Sequence, residues 1–206
     1  MQYPISALDG RYSKKITELS EIVSEFGLMR YRITVEIAWL FFLQKQNLLP
    51  SEVQLEKLSQ IVEKFSDAEF EKIKKIESTT KHDVKAVEYY LREYVDESAW
   101  SWIHFACTSE DINNIAYALM LKDAKRVAMT YLQDSIIGTL RQRAHEWKNM
   151  PMLSRTHGQP ATPTTMGKEF GVYVHRLDSI CKRLETVSIS AKINGATGNY
   201  AVHSVA

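Results

Sequence analysis

Apolar positions along the chain recur at steps of three and four. Leu19, Ile22, Val23 and Phe26 form one such series, and Tyr31, Val35, Trp39 and Phe42 a second. That period belongs to a helix with one buried face. Asn47 to Pro50 breaks the pattern, and Ser51 is placed to cap a next helix carrying Val53, Leu55, Leu58, Ile61 and Val62. Three capping boxes follow: Ser66-Asp67-Ala68-Glu69, Thr80-Lys81-His82-Asp83 and Thr108-Ser109-Glu110-Asp111. The second opens a helical run from Val84 to Val95, and Glu97 to Ser101 breaks it. The third opens a run without proline to about Met150, a length that belongs to bundles and oligomer cores. Residues 149–162 read as a loop, and Pro163 takes the first turn of a last helix to about Ser190. No segment alternates as a strand does.

The expected fold is therefore all-α. Residues 1–106 are expected to form a small helical domain, and residues 107–206 the first part of a helical-bundle domain. Two long helices cannot bury their apolar faces alone, so the chain reads as a truncated piece of a longer protein that self-associates.

Composition sharpens this picture in a few places. Glycine and proline are scarce, 8 and 5 in 206 residues, which favours long regular elements. The formal net charge is +1, so any anionic ligand must be recognised locally, not through a global field. The two cysteines, Cys107 and Cys181, fit neither a disulfide framework nor a zinc motif. A reduced, cytoplasmic setting follows as the simplest expectation. The N-terminus lacks a signal-peptide pattern, and the most apolar run, 37–43, is too short to span a bilayer.

Four polar segments stand out. Ser154-Arg155-Thr156-His157-Gly158-Gln159-Pro160-Ala161-Thr162-Pro163 surrounds a histidine with hydroxyls, a guanidinium and an amide; such an imidazole exchanges protons at neutral pH. A histidine that merely satisfies loop backbone is the plainer alternative. Thr79 to Lys85 places Lys81 and His82 in a first helical turn, where cations oppose the helix dipole, which hints at an anionic ligand. An ordinary cap explains it equally well. Ile103 to Asn114 brings His104, Thr108 and Ser109 to a helix start suited to an oxyanion, although capping alone accounts for the hydroxyls. Cys107 beside them reads as buried and inert. Asp9-Gly10-Arg11-Tyr12 is a turn whose arginine fork suits a phosphate, or simply a surface turn. His145, His175, His203 and the glycines at 195 and 198 carry weaker signals.

Together these segments resemble the fumarase/aspartase superfamily, and within it the branch that acts on a succinylated purine nucleotide. The histidine loop at 154–163, Lys81-His82-Asp83-Val84-Lys85-Ala86-Val87-Glu88-Tyr89, Thr108-Ser109-Glu110-Asp111-Ile112-Asn113-Asn114 and Asp9-Gly10-Arg11-Tyr12 stand in the family's order. The resemblance implies that His157 is the acid that protonates the departing amine, with His82 orienting substrate or supporting that acid. It implies that Arg11, Tyr12 and His104 serve the nucleotide and its phosphate. Lys81, His82 and Asp83 match a substrate-binding triplet. Thr108 and Ser109 match residues that hold the succinyl carboxylate, and Thr156 joins the substrate contacts. Lys81 stands at a position that varies in the family, and it keeps the charge without a planar fork. Fumarate release without metal or cofactor is implied, as are a homotetramer and sites shared between subunits. The family's Gly-Ser-Ser-x-Met-Pro-x-Lys-x-Asn loop, whose serine is the implied base, does not occur in these residues, so this piece alone is expected to be inactive. Two other readings compete: a sister lyase acting on argininosuccinate, and a helical scaffold without catalysis.

Overall fold

A computed structural model describes residues 6–50, 53 and 55–205. Among them the elements are eight α-helices and one two-stranded ribbon. The helices are α1 (Thr17–Val23), α2 (Glu25–Lys45), α3 (Ser59–Glu63), α4 (Asp67–Thr80), α5 (Asp83–Arg92), α6 (Ser109–Tyr131), α7 (Gly138–Glu146) and α8 (Met166–Glu185). The strands are β1 (Pro151–Thr156) and β2 (Gln159–Thr165). The all-α expectation holds. Ser51, the expected cap before α3, lies outside the described residues.

The chain divides into two compact units, residues 6–124 with 189–205, and residues 125–188. In the first, α2 is the central element. The stripe expected on it was Tyr31, Val35, Trp39 and Phe42, but Phe42 is exposed and the main core runs through Met29, Ile33, Ile37, Leu40 and Leu43. The helix is apolar around most of its circumference, so one stripe could not define its buried side. Val87, Tyr90 and Leu91 of α5 and Ile73 of α4 complete the same cluster. At the corner between α1 and α2 a Cβ on Gly27 would sit 2.1 Å from the Ile22 carbonyl oxygen, so only glycine fits there.

The three capping boxes behave differently. Ser66 is the N-cap of α4, but its hydroxyl accepts no capping bond, and Glu69 instead accepts from Tyr90 and Tyr94 at 2.5 and 2.9 Å. At the second, Thr80 ends α4, Lys81 is its left-handed C-cap, and His82 itself caps α5. Lys81 and His82 therefore lie before the first turn of α5, not in it. The third forms by half: Asp111 Oδ2 accepts the Thr108 N–H at 2.9 Å, while the Asp111 N–H goes to the Thr108 main-chain carbonyl and not to its hydroxyl.

In the second unit a π-helical stretch, Leu132–Ile137, leads into α7. Residues 151–165, expected as a loop and a helix start, are the antiparallel ribbon. Pro160 and Pro163 sit in strand β2, which proline tolerates in a two-stranded ribbon because both strands are edges. The last helix starts at Met166, capped by the Thr165 hydroxyl accepting from Lys168 N–H at 3.2 Å. It packs on α7 through Trp147 and Phe170, ring centroids 5.0 Å apart, and an Arg141–Asp178 ion pair at 3.0 Å.

Candidate active site

Two side chains that sequence reasoning passed over organise the first unit. Arg32 and Glu36 stand one turn apart on α2, on one face, and both are buried. Arg32 Nη2 meets Asp83 Oδ2 at 2.5 Å, and its Nε donates to Asn113 Oδ1 at 2.8 Å. One guanidinium thus joins the start of α5 to the first turns of α6, and with them the second and third candidate segments. Burial works against ionisation of Asp83, but Arg32 and main-chain donors outweigh it and hold the carboxyl below its ordinary range.

Glu36 holds His104. Its Oε1 lies 2.6 Å from His104 Nδ1, and its Oε2 accepts the His104 main-chain N–H at 3.1 Å. His104 adopts a left-handed φ of 62°, and Ala106 two residues on has 60°. Such backbone is costly outside glycine and is kept where the surroundings over-determine it.

His82 is exposed, and its Nδ1 accepts the Lys85 N–H at 3.2 Å. That bond puts the proton of the neutral ring on Nε2. Thr108 and Ser109 open α6, and because Asp111 supplies the cap, neither hydroxyl has a hydrogen-bond partner among the described residues. Free hydroxyls beside unpaired main-chain donors suit a carboxylate or phosphate. Asp111 itself is fully buried. It accepts from Lys192 Nζ and from the main-chain N–H groups of Asn194 and Gly195 at 2.7, 3.1 and 3.1 Å. The glycine-containing segment at 192–195 is therefore an arm tied to α6, with Asn114 exchanging two further bonds with Lys192. Cys107 is partly buried, and burial, with Glu36 and Asp111 nearby, pushes its thiol up to about 12, which agrees with the inert reading. Arg11 and Tyr12 sit on an exposed turn, the guanidinium 5.9 Å over the neighbouring ring.

His157 belongs to the second unit. It occupies the ribbon's two-residue turn with Gly158, at φ 51° and 77°. Positive φ at both central residues is what a primed hairpin turn needs, and glycine takes the second at no steric cost. His157 and Thr156 are exposed. Among the described residues no group of three or more His, Cys, Asp or Glu could hold a metal ion, and no helix is long and apolar enough to cross a membrane.

The same order of helices and ribbon can be compared with solved structures. The chain matches a fumarate lyase from Mesorhizobium sp. BNC1 with a TM-score of 0.74 at 21% identity, over 90% of this chain and 44% of that one. It matches the β-carboxy-cis,cis-muconate cycloisomerase of Acinetobacter calcoaceticus sp. ADP1 at 0.71, also at 21% identity, over 91% and 44%. At that identity these show the fold alone. The sequence profile of the family described as Lyase matches residues 10–206, and the chain belongs to that family. Its relatives include adenylosuccinate lyases from Haemophilus influenzae, 46% identical over 97% of this chain and 46% of the relative. Those of Legionella pneumophila strain Corby and Escherichia coli K12 are 47% and 45% identical over 98% of the chain and 46% of each relative. The chain spans about half the length of the curated relatives it matches.

Proposed function

We propose that the protein to which these residues belong is an adenylosuccinate lyase. It releases fumarate from adenylosuccinate, giving AMP, and from the succinylated aminoimidazole carboxamide ribonucleotide of purine biosynthesis. The observation that carries this reading is 45–47% identity to adenylosuccinate lyases over nearly the whole chain, which takes in all four polar segments. In the elimination a base takes a proton from the carbon next to a succinyl carboxylate. The electron pair forms the C–C double bond of fumarate, and the C–N bond breaks. His157 delivers a proton to the leaving nitrogen, which avoids expelling an amide anion. His82 orients substrate through its free Nε2–H, with Lys81 and Asp83 beside it. Thr108 and Ser109 hold the succinyl carboxylate, whose negative charge grows in the transition state, and Thr156 adds a substrate contact. Arg11, Tyr12 and His104 take the nucleotide's phosphate. No metal or cofactor has a part in this scheme. The working enzyme is read as a cytoplasmic homotetramer, and residues 1–106 and 107–206 as parts of its first two domains.

Fumarate release by the full-length protein tests the reading. Turnover of adenylosuccinate but not argininosuccinate is expected. Turnover of argininosuccinate alone would move the protein to the sister lyase, and no turnover of either would favour a scaffold.

A further inference from the structure

The Glu36–His104 contact has more to it than packing. Both oxygens of one fully buried carboxylate are taken by a single residue, Oε1 by the ring and Oε2 by the main chain. The ring is thereby fixed at its Nδ1 edge, and Nε2 has no hydrogen-bond partner among the described residues. The charged groups that act on the ring are Glu36 from α2, in contact with it, and Glu88 and Lys85 from α5. Glu88 is buried and paired with Lys85 at 2.7 Å.

We propose that Glu36 is a positioning residue: by gripping His104 at Nδ1 and at its main-chain N–H, it presents Nε2–H as a fixed donor to an anionic group of the substrate. This rests on the lyase reading above. Burial opposes charge on both partners, raising Glu36 and pulling His104 down. Contact with Glu36, and the charge of Glu88, still leave the ring's proton affinity above its ordinary value. The donor does not depend on where the bridging proton sits. If the ring holds it, His104 is an imidazolium with Nε2–H. If Glu36 holds it and donates to Nδ1, the neutral ring carries its remaining proton on Nε2. Only loss of a proton from the pair turns Nε2 into an acceptor that would repel an anion. The strained φ at His104 fits a residue held for function.

The test uses the full-length protein and Glu36→Met, a substitution that keeps the side chain's length and removes both contacts to His104. Binding of inorganic sulfate, whose charge is constant, is measured by titration calorimetry from pH 6 to 9 beside binding of succinate. Wild type should bind sulfate through neutral pH. In Glu36→Met sulfate binding should weaken tenfold or more between pH 6 and 8, with KM suffering more than kcat. A shift confined to succinate would support the donor but assign it to a carboxylate in place of a phosphate. The ring is also read directly by nitrogen NMR in wild type, assigned with His104→Gln; Nε2 should carry a proton at pH 7. An unprotonated Nε2 overturns the proposal, even if Glu36→Met fails to fold. So do Glu36→Met profiles that follow wild type for sulfate and succinate alike. Sulfate binding and the NMR signal need no turnover. A protein that ignored adenylosuccinate yet showed both effects would sink the lyase reading and leave this device standing.

Discussion

The two units hold their candidate residues by different means. In the first, buried charge does the holding: Arg32 grips Asp83 and Asn113, Glu36 grips His104, and Asp111 ties the arm at 192–195 to α6. In the second, the backbone does it. His157 rides a primed turn whose second residue is glycine, at the exposed tip of a ribbon. Both places keep non-glycine residues in left-handed backbone, Lys81, His104 and Ala106 in one and His157 in the other. Groups fixed by buried charge are pre-oriented for an anion before it arrives. A group on a turn is aimed by chain geometry.

The contrast breaks most directly at His157. In the full-length enzyme His157→Ala should lower kcat by roughly 10²–10⁴-fold, about 3–5 kcal/mol of transition-state stabilisation, with KM changed far less. Ser109→Ala should weaken KM and kcat together, because its hydroxyl is read as touching the carboxylate in ground and transition states alike. Steady-state kinetics on assembled protein checks both. Near-normal kcat in His157→Ala would reassign the acid, with His82 next in line.

A smaller effect is expected where charge does the holding. Asp111→Ala removes the acceptor of three main-chain N–H groups and of Lys192, leaving buried donors unmet. The expected cost is about 2–3 kcal/mol, seen in the denaturation midpoint at pH 7. Burial raises the carboxyl's pKa, but Lys192 and the main-chain donors outweigh it and leave it below the ordinary range. A depressed carboxyl contributes stability above its unfolded pKa of about 3.9 and loses it as pH falls through the folded value. The wild-type midpoint should therefore drop below about pH 4, and Asp111→Asn should flatten that slope. An unchanged slope in the variant would show that the arm is held by something else.

What was legible in the chain, and what was not, follows the same line. Helices were readable because burial repeats at the helical period, and all four polar segments were visible because hydroxyls and histidines crowd helix starts and turns. The ribbon was not, since Pro151, Ser154, Pro160 and Pro163 offer no apolar alternation and both strands are largely exposed. Arg32 and Glu36 escaped notice although the signal was present: opposite charges four residues apart inside the apolar run 31–37. Charges so placed must be paired to be buried, and here their partners came from other elements. Capping boxes were over-read, because a pattern of residue types does not fix which oxygen reaches which N–H.

Within the second unit, packing at the base of the ribbon gives a sharper test of backbone geometry. A Cβ on Gly167 would fall 2.3 Å from the Ala144 carbonyl oxygen and 2.6 Å from Lys148 main-chain atoms. None of these can swing aside as a side chain could. Gly167→Ala should cost about 1–2 kcal/mol by pushing α8 off the end of α7, read as a lower thermal midpoint. An unaltered midpoint would mean that this junction yields easily, and the ribbon would then be aimed less firmly than argued.

The smallest expected effects compare one helix cap from each unit. Ser66 and Thr165 both precede helices, α4 and α8, with extended backbone suited to a cap. By sequence Ser66 is the stronger candidate, since Glu69 stands three residues on as a capping box requires. The contacts reverse that order. The Ser66 hydroxyl makes no capping bond, because Glu69 turns away to accept from Tyr90 and Tyr94, whereas the Thr165 hydroxyl accepts from Lys168 N–H at 3.2 Å. Removing a cap that bonds costs about 1 kcal/mol, while removing a hydroxyl without a partner leaves only a small change in local solvation. Thr165→Ala should thus destabilise by about 1 kcal/mol and Ser66→Ala by less than about 0.5 kcal/mol, within the range of ordinary surface substitutions. Amide exchange in the first turn of each helix separates the cases, since only the α8 turn should lose protection. Equal losses at both sites would mean that the serine caps α4 after all and that Glu69 is free to return to its box.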